Sequence, residues 1–403
     1  MFRFLNPDSN LSEICNAAMG EANTVLSAER AKIPGNVALV HDFLLYRGGA
    51  ERVLRSLADM FPGAPIYTLL YDAENMGGMF ADREVRTSFL GAWPEWIRRR
   101  HRLLLPFYPT AAEAIDLRDF STVISSSGAW AKGIVTRLRT KHIAYLHSPM
   151  RFVWDENERY LRESGRLHFL KRLMLSSLRL WDFESAQRPD VLVANSFYTE
   201  RRIKKYYRRE AKVVYPPVLH FQSNELAARF LEDRPFLTVS RLSPYKRTRD
   251  IVQAFSKLKL PLAVVGSGAE FASLSKVSPP NIRFFGHVTD EELGQLYRRS
   301  RAFLFASDED FGLSLAEAQR AGLPAIALRS GGAMEIVSER VSGVFFDQAD
   351  AASISRAVGE YIDQEHLFDR EHISRIAERF SEETFRSSMS DIIKQAVSKI
   401  STG

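Results

Sequence analysis

Two carboxylates stand on either side of a Phe-Gly pair in the segment 307–318. Glu309 follows an apolar run that ends at Phe305, and Glu317 lies in the helical pattern that comes next. Parallel α/β sheets bind ligands beyond the carboxyl ends of their strands, so both carboxylates are expected to border a ligand crevice. Each can accept several hydrogen bonds from a polyhydroxylated ligand. The alternative is that Glu309 complements a helix dipole and Glu317 is an ordinary surface residue.

Two cations follow the first strand predicted in the second half of the chain. Arg241 can fork onto a phosphate group, and Lys246 supplies a compact positive charge. Two fixed cations at the crevice would stabilise a diphosphate leaving group as its charge develops. Gly312 allows close approach of the backbone to a ligand, and the helix that follows it begins with N–H groups that can bind phosphate. The alternative is a charged, solvated loop.

The first half offers a glycine pair and a histidine at comparable places. Gly48 and Gly49 separate a predicted strand from a predicted helix, which would let the backbone approach a phosphate or a sugar. His147 ends another predicted strand, where it can hydrogen-bond a sugar hydroxyl or a backbone carbonyl. A glycine pair is often only a tight turn, and a histidine here is often structural. Neither feature alone identifies a site.

The elements that would position these residues are short apolar strands alternating with amphipathic helices. Such alternation indicates parallel sheets covered on both faces, and 403 residues exceed one ordinary core. The sequence therefore predicts two doubly wound α/β domains. The predicted strands are 37–41, 122–125, 142–146, 191–194, 236–240, 262–265, 282–285, 302–305 and 325–328.

A paired proline in the segment 215–218 predicts the connector between the two domains. The N-terminal domain is then expected over 36–215 and the C-terminal domain over 219–375. Residues 1–35 are interpreted as a disordered extension. The stretch 370–400 is helical by pattern, and residues 376–403 are interpreted as a helix that packs back across the hinge.

Composition favours a globular protein, with 45% apolar and 26% charged residues. No apolar run approaches the roughly 18 residues that a membrane-spanning helix needs. The first 35 residues do not read as a secretory signal, and the single cysteine, Cys15, cannot form an internal disulfide. These features predict a cytoplasmic chain.

The positive charge is concentrated in the first half. Residues 1–217 carry 32 Lys and Arg against 24 Asp and Glu, or +8, whereas residues 218–403 carry 23 against 25, or −2. A basic half predicts an anionic partner there, with a solvated face of long side chains as the alternative.

Together these segments resemble family 4 of the retaining glycosyltransferases, whose GT-B fold places two Rossmann-like domains across a central cleft. The family pattern has an Arg and a Lys five apart, then two Glu separated by seven residues around Phe-Gly. Arg241 and Lys246 match the first part, and Glu309 and Glu317 match the second. One departure is Arg247, where many members carry glycine, so the loop geometry is expected to differ slightly.

The resemblance implies a role for each matched residue. Arg241 and Lys246 would hold the donor diphosphate, Glu309 would contact the transferred sugar, and Glu317 would contact the ribose. The catalytic residues implied are Arg241, Lys246, Glu309 and His147. The donor-binding residues implied are Gly48, Gly49, Arg241, Lys246, Glu309, Phe311, Gly312, Leu313 and Glu317.

The resemblance also implies a retaining hexosyltransferase without a cofactor, since the nucleoside-diphosphate sugar is a substrate. No His/Cys cluster is present and the cations are expected to take the place of Mg²⁺, so no metal site is predicted. The segments 147–155, 194–196 and 215–217 look like a subgroup rich in bacterial mannosyltransferases. GDP-mannose is therefore the predicted donor, in cell-surface or exopolysaccharide synthesis. The alternatives are UDP-glucose or another nucleotide sugar, a nucleotide-sugar epimerase, and a catalytically silent partner in a polysaccharide assembly complex.

The segment 93–108 mixes basic residues with aromatic and aliphatic ones, and a second basic run spans 201–209. Cations attract anionic head groups while Trp, Leu and Phe enter the interface. We expect the N-terminal domain to rest on the inner face of the membrane and to receive a polyprenyl-diphosphate-linked saccharide. The alternative is that Trp93 and residues 103–105 pack in the core. No nucleic-acid module accompanies the pattern, so a nucleic-acid partner is not expected.

Overall fold

The computed structural model describes residues 36–155, 168–218 and 234–398. The predicted extension 1–35 lies outside the described residues. Within these ranges, no helix is long and apolar enough to span a membrane.

The N-terminal half is built on a parallel sheet of seven strands in the order β3-β2-β1-β4-β5-β6-β7. The strands are β1 (Val37–Leu44), β2 (Ile66–Tyr71), β3 (Val85–Thr87), β4 (Thr122–Ser127), β5 (Lys141–Leu146), β6 (Val191–Ala194) and β7 (Lys212–Val213). The helices are α1 (Gly49–Met60), α2 (Glu95–Arg98), α3 (Tyr108–Glu113), α4 (Arg151–Trp154), α5 (His168–Ser185) and α6 (Phe197–Tyr207). Short 3-10 turns cover Phe89–Ala92, His101–Phe107 and Ala131–Gly133.

The C-terminal half is built on a second parallel sheet, of six strands in the order β10-β9-β8-β11-β12-β13. The strands are β8 (Phe236–Val239), β9 (Leu262–Val265), β10 (Ile282–Gly286), β11 (Phe303–Phe305), β12 (Ala325–Leu328) and β13 (Gly343–Phe346). The helices are α7 (Thr248–Leu258), α8 (Phe271–Val277), α9 (Asp290–Arg299), α10 (Leu313–Arg320), α11 (Ala333–Ile336), α12 (Ala351–Gln364), α13 (Arg370–Ile376) and α14 (Glu382–Ser398). Further 3-10 turns cover Pro244–Lys246, Glu365–Leu367 and Ala377–Phe380.

Both sheets are buried on both faces, as continuous apolar strands require. In β1, Ala38 and Val40 face one apolar cluster while Leu39 faces another. In β9, Leu262 and Val264 face one cluster, and the intervening residue faces the opposite one. The strand order and the two covered faces confirm the predicted pair of Rossmann-like, doubly wound domains.

The chain passes between the domains twice. The first crossing follows β7, and the N–H of Val218 donates to the carbonyl of Phe380 on the returning segment at 3.0 Å. The second crossing leads into α14, whose Phe385, Met389 and Ile393 are at most 1% exposed and pack in the N-terminal core. Full burial of each such side chain contributes about 1.5–3 kcal/mol. Helix α14 is therefore part of the N-terminal domain's packing.

Several elements differ from the sequence prediction. Strand β1 continues to Leu44, past the predicted end at His41, and β2, β3, β7 and β13 were not predicted. The continuous helix expected over 370–400 is interrupted at Ser381, whose hydroxyl accepts a hydrogen bond from Thr384 N–H at 3.2 Å. A serine in this position caps a new helix instead of continuing the old one.

Candidate active site

A cleft of about 1090 Å³ separates the two sheets at the carboxyl ends of their strands. Its N-terminal wall contains the loop after β1, the loop after β4 and the end of β5. Its C-terminal wall contains the loop after β8 and the start of α10. All the residues predicted to act in catalysis or donor binding line it: Gly48, Gly49, His147, Arg241, Lys246, Glu309, Phe311, Gly312, Leu313 and Glu317.

Lys246 and Glu309 form an ion pair in the C-terminal wall, with Nζ 2.5 Å from Oε1. The hydroxyl of Ser307 donates to the same carboxylate oxygen at 2.6 Å. Arg241 is exposed and lines the same cleft. The structure thus places one carboxylate and two cations in one cleft wall.

Arg247, at the position where many family members carry glycine, adopts a left-handed conformation with φ of +58°. This is the region that glycine occupies without strain, and a residue with a side chain pays roughly 1–2 kcal/mol to enter it. At Arg247 the loop thus has a backbone conformation that a glycine would also favour.

Glu317 is buried, which excludes the alternative of an ordinary surface residue. Its Oε1 accepts a hydrogen bond from Arg52 Nη1 at 2.6 Å, and its Oε2 accepts one from the Tyr297 hydroxyl at 3.0 Å. Burial raises the pKa of Glu317, and the nearby Arg52 opposes that shift. Arg52 belongs to α1 in the opposite domain, so this contact spans the cleft.

The two walls also approach each other closely at Gly49 and Leu313. A Cβ atom at Gly49 would lie 2.0 Å from Leu313 Cδ1, so a larger residue would require the Leu313 side chain to move. Gly312, just before that helix, has φ of +105°, which side chains rarely tolerate. Phe311 also lines the cleft, but its ring is buried against Tyr215 and Phe380. Gly49 therefore allows close contact between the walls, and Gly312 allows the left-handed turn before α10.

His147 lines the N-terminal wall and is held there by neighbouring polar side chains. Its Nε2 lies 2.8 Å from Ser126 Oγ, which lies 3.1 Å from Nδ1 of His41. Glu51 Oε1 is 3.6 Å from the other nitrogen of His41. Burial lowers the pKa of His147 to about 4, so its ring is neutral at physiological pH. A neutral imidazole at the cleft can take part in hydrogen bonding without adding charge.

Two known sequence families match the two halves of the chain that form the walls of the cleft. The family described as "Glycosyltransferase Family 4" matches residues 47–218, and the one described as "Glycosyl transferases group 1" matches residues 225–380. The chain belongs to family 4 of the glycosyltransferases.

The relatives of this family 4 chain are named for different activities. A GDP-mannose-dependent alpha-mannosyltransferase of Corynebacterium glutamicum is 30% identical over 125 residues, which is 31% of this chain and 30% of the relative. An N-acetyl-alpha-D-glucosaminyl L-malate synthase of Bacillus anthracis is 27% identical over 145 residues, or 34% and 38% of the two chains. The matches thus span only about a third of these relatives.

Solved structures support the GT-B fold of this family 4 chain. Anabaena HepE, crystallised in complex with UDP-glucose, superposes with a TM-score of 0.66. The superposition covers 90% of this chain and 100% of HepE, at 19% sequence identity. The two share the fold across nearly the whole described molecule.

Asp42 is one cleft-supporting residue of this family 4 chain that sequence reasoning did not single out. Its carboxylate accepts backbone hydrogen bonds of 2.6–2.8 Å from the four consecutive residues Gly128, Ala129, Trp130 and Ala131. It therefore fixes the loop after β4, part of which lines the cleft. The predicted strand 37–41 ends one residue before Asp42, so the pattern did not place this acid inside a buried strand, where it must find partners.

Asp310 is another such residue, and it joins the domains beside the ion pair of the C-terminal wall. Its carboxylate pairs with Arg151 Nε at 2.9 Å and with Arg202, which is 8% exposed. The hydroxyl of Ser196 donates to the Asp310 carbonyl at 2.5 Å. Farther along, Glu335 accepts the first N–H groups of α6 at 2.6 and 2.8 Å. No local sequence pattern predicts these contacts, because they depend on how the two domains meet.

Proposed function

We propose that this chain is a retaining glycosyltransferase that moves a hexose from a nucleoside-diphosphate sugar to a saccharide acceptor. The observation that carries the proposal is the convergence of Arg241, Lys246, Glu309 and Glu317 on one wall of the cleft, facing the glycine turn of the other domain. Two cations suit a diphosphate, and two carboxylates suit the hydroxyls of the sugar and the ribose.

In the proposed donor complex, Arg241 and Lys246 hold the diphosphate, with the N–H groups at the start of α10 beside it. Glu309 accepts hydrogen bonds from the transferred sugar. Lys246 lies in contact with Glu309, so the leaving group and the sugar would be held by adjacent side chains. Fixed charges placed where negative charge develops are the strongest form of catalysis available to such a site.

We infer transfer on the front face of the sugar. The bond between C1 and the diphosphate oxygen breaks, the acceptor oxygen bonds to C1 from the same side, and its proton passes to the departing phosphate. Glu309 and Glu317 are assigned to donor hydroxyls, so neither is a nucleophile of the kind that retaining glycosidases use. Catalysis would then come from positioning and charge stabilisation, without a metal ion.

GDP-mannose is the donor that we favour, for the synthesis of a cell-surface or exopolysaccharide. Support comes from the subgroup resemblance of the segment 147–155 and from the Corynebacterium relative, whose name specifies GDP-mannose. A thermal-shift panel with GDP, UDP, ADP and dTDP tests this. A ligand at 100 times its dissociation constant adds about 2.7 kcal/mol to folded-state stability, which a midpoint shift detects.

Each outcome of the panel is decisive. A shift with GDP alone supports a guanosine donor, and NMR of the product with GDP-mannose then reports whether the anomeric configuration is retained. A shift with UDP or another nucleotide replaces mannose with the corresponding donor class. In a separate assay without any acceptor, conversion of the nucleotide sugar to its epimer would indicate an epimerase. Absence of any shift would favour a catalytically silent assembly partner.

We further propose that the N-terminal domain contacts the inner face of an anionic membrane, where a polyprenyl-diphosphate-linked saccharide would be the acceptor. In the segment 93–108, Trp96 is 66% exposed and Leu103 is 68% exposed, whereas Leu104 is buried. The predicted alternative of core packing thus holds for only part of the segment. Arg99 and Arg100 are exposed beside these apolar side chains.

Helix α5 adds a second exposed apolar group to the same domain. Phe169, Leu170 and Leu173 are each more than half exposed, with Arg172 beside them. The buried side of α5 packs in the same apolar cluster as Leu104. Exposed apolar side chains accompanied by cations are typical of surfaces that enter a lipid interface.

A further inference from the structure

Arg52 reaches from α1 across the cleft to the carboxylate that the proposed function assigns to the ribose. Its Nη1 lies 2.6 Å from Glu317 Oε1, and its Nη2 lies 3.6 Å from Asp290 Oδ1. The Arg52 side chain is 33% exposed, whereas that of Glu317 is 5% exposed. A residue of the N-terminal domain is therefore the cationic partner of a buried acid in the C-terminal domain.

The carboxylate of Glu317 needs such a partner, because burial penalises its charge. Three groups from the elements packed against it affect its charge: Arg52 of α1, and Asp290 and Tyr297 of α9. Burial raises the pKa of Glu317 and Asp290 adds to this, while Arg52 and the Tyr297 hydroxyl oppose it. Without Arg52, the acid would have only a neutral phenol to stabilise its ionised form.

We propose that Arg52 is a nucleotide-positioning residue supplied by the opposite domain, which keeps Glu317 charged and oriented to accept the ribose hydroxyls. The proposal rests on the proposed function, in which Glu317 binds the ribose. Each carboxylate oxygen accepts one hydrogen bond here and has a second lone pair for a hydroxyl. The nucleotide site would then be complete only when the two domains are closed.

The opposite possibility is that Arg52 competes with the ribose for Glu317. The two possibilities predict opposite effects of removing the guanidinium. A positioning role predicts weaker nucleotide binding after its removal, and competition predicts tighter binding. Pyrophosphate separates either effect from the phosphate subsite, because it has no ribose.

The test is calorimetric titration of GDP, UDP and inorganic pyrophosphate into the wild type, Arg52→Gln and Arg52→Lys. Arg55→Gln is the matched control, because Arg55 lies three residues along α1 and pairs with Asp59 and Asp82 inside its own domain. We expect Arg52→Gln to weaken the nucleoside diphosphate about tenfold, the effect of one charge-assisted hydrogen bond. Pyrophosphate should bind unchanged, Arg52→Lys should recover part of the loss, and Arg55→Gln should match the wild type.

Repeating the titrations between pH 5 and pH 8 measures the pH dependence of nucleotide affinity. A purely structural role of Arg52 would leave that dependence unchanged. In Arg52→Gln the loss of nucleotide affinity on acidification should begin at a higher pH, because Glu317 then takes up a proton more readily. Equal or tighter nucleotide binding by Arg52→Gln, or an equal loss for pyrophosphate, would overturn the inference. A wild type that binds none of GDP, UDP, ADP and dTDP would instead overturn the proposed function beneath it.

Discussion

The ammonium nitrogen of Lys246 lies 2.5 Å from Glu309 Oε1 in the C-terminal wall of the cleft. Both side chains are largely buried, with 14% of Lys246 and 21% of Glu309 exposed. The charge of Lys246 is thus already fixed in position before a ligand enters. A cation held in place requires little reorganisation when a diphosphate develops charge beside it.

Lys246→Ala should reduce turnover about 100-fold or more, because it removes a fixed charge from the leaving group. Release of nucleoside diphosphate from the donor sugar, followed with acceptor present, measures this. Lys257→Ala is the control, since Lys257 is an exposed cation of the same domain on α7. Near-normal turnover of Lys246→Ala would remove this lysine from the mechanism.

Asp42→Asn should lower the free energy of unfolding by about 3 kcal/mol or more. The amide cannot accept all four backbone hydrogen bonds that the carboxylate accepts from residues 128–131, and buried N–H groups without partners are costly. Urea-induced unfolding measures the change. Asp119→Asn, at an exposed position, should leave the midpoint where it is. Equal midpoints for the two variants would show that the Asp42 contacts contribute little.

Stability should fall as the pH drops below about 6.5, partly because of two buried histidines. Burial lowers the pKa of His142 to about 3 and that of His147 to about 4, whereas an unfolded histidine titrates near 6.5. Between these values the unfolded chain binds more protons than the folded one. Each histidine then removes up to about 1.4 kcal/mol of stability per pH unit as the pH falls toward its folded value.

His142→Gln isolates the contribution of one histidine to the pH dependence of stability, because His142 lies in the sheet away from the cleft residues. Its Nε2 is 2.8 Å from Ser125 Oγ, a contact that glutamine can replace. Unfolding free energies measured between pH 4.5 and pH 7 should vary less steeply in this variant. His366→Gln, at an exposed position, should keep the wild-type slope. A slope unchanged by His142→Gln would contradict the assignment.

Replacement of Arg99 and Arg100 by Glu should abolish flotation with anionic liposomes at low salt. Both arginines are exposed beside Trp96, so reversing their charge repels the surface that the wild type is expected to bind. Wild-type flotation should weaken as salt is added, because salt screens exposed charges. Replacement of Lys257 and Arg283 by Glu, in the C-terminal domain, is the control and should leave flotation unchanged. A wild type that stays unbound at low salt would count against membrane contact.

The sequence predicted the two sheets and the segments of the cleft because both depend on local pattern. Apolar runs at regular intervals specify buried parallel strands, and Lys246 and Glu309 each lie between such a run and the next helix. The contact of Arg52 with Glu317 was not predictable in this way. It joins residues 265 positions apart, in different domains, and no local periodicity records how two domains face each other.

Backbone conformation was also beyond the sequence pattern in places. The left-handed conformation of Arg247 breaks the usual preference of residues with side chains, so propensity predicts a different loop. The split of the last predicted helix at Ser381 depends on a single capping hydroxyl. Strand β13 begins with glycine at position 343, a residue type that is depleted in strands.

The place of α14 has a consequence for how the protein is made. A ribosome produces residues 36–218 long before it produces Phe385, Met389 and Ile393, which complete the core of the same domain. During the interval the apolar surface that α14 covers stays exposed on the nascent N-terminal domain. Exposed apolar surface of this kind promotes aggregation and is bound by chaperones. Domains usually fold in the order of their synthesis. Here the second domain can be finished first, and the first domain closes only with the last helix of the chain described.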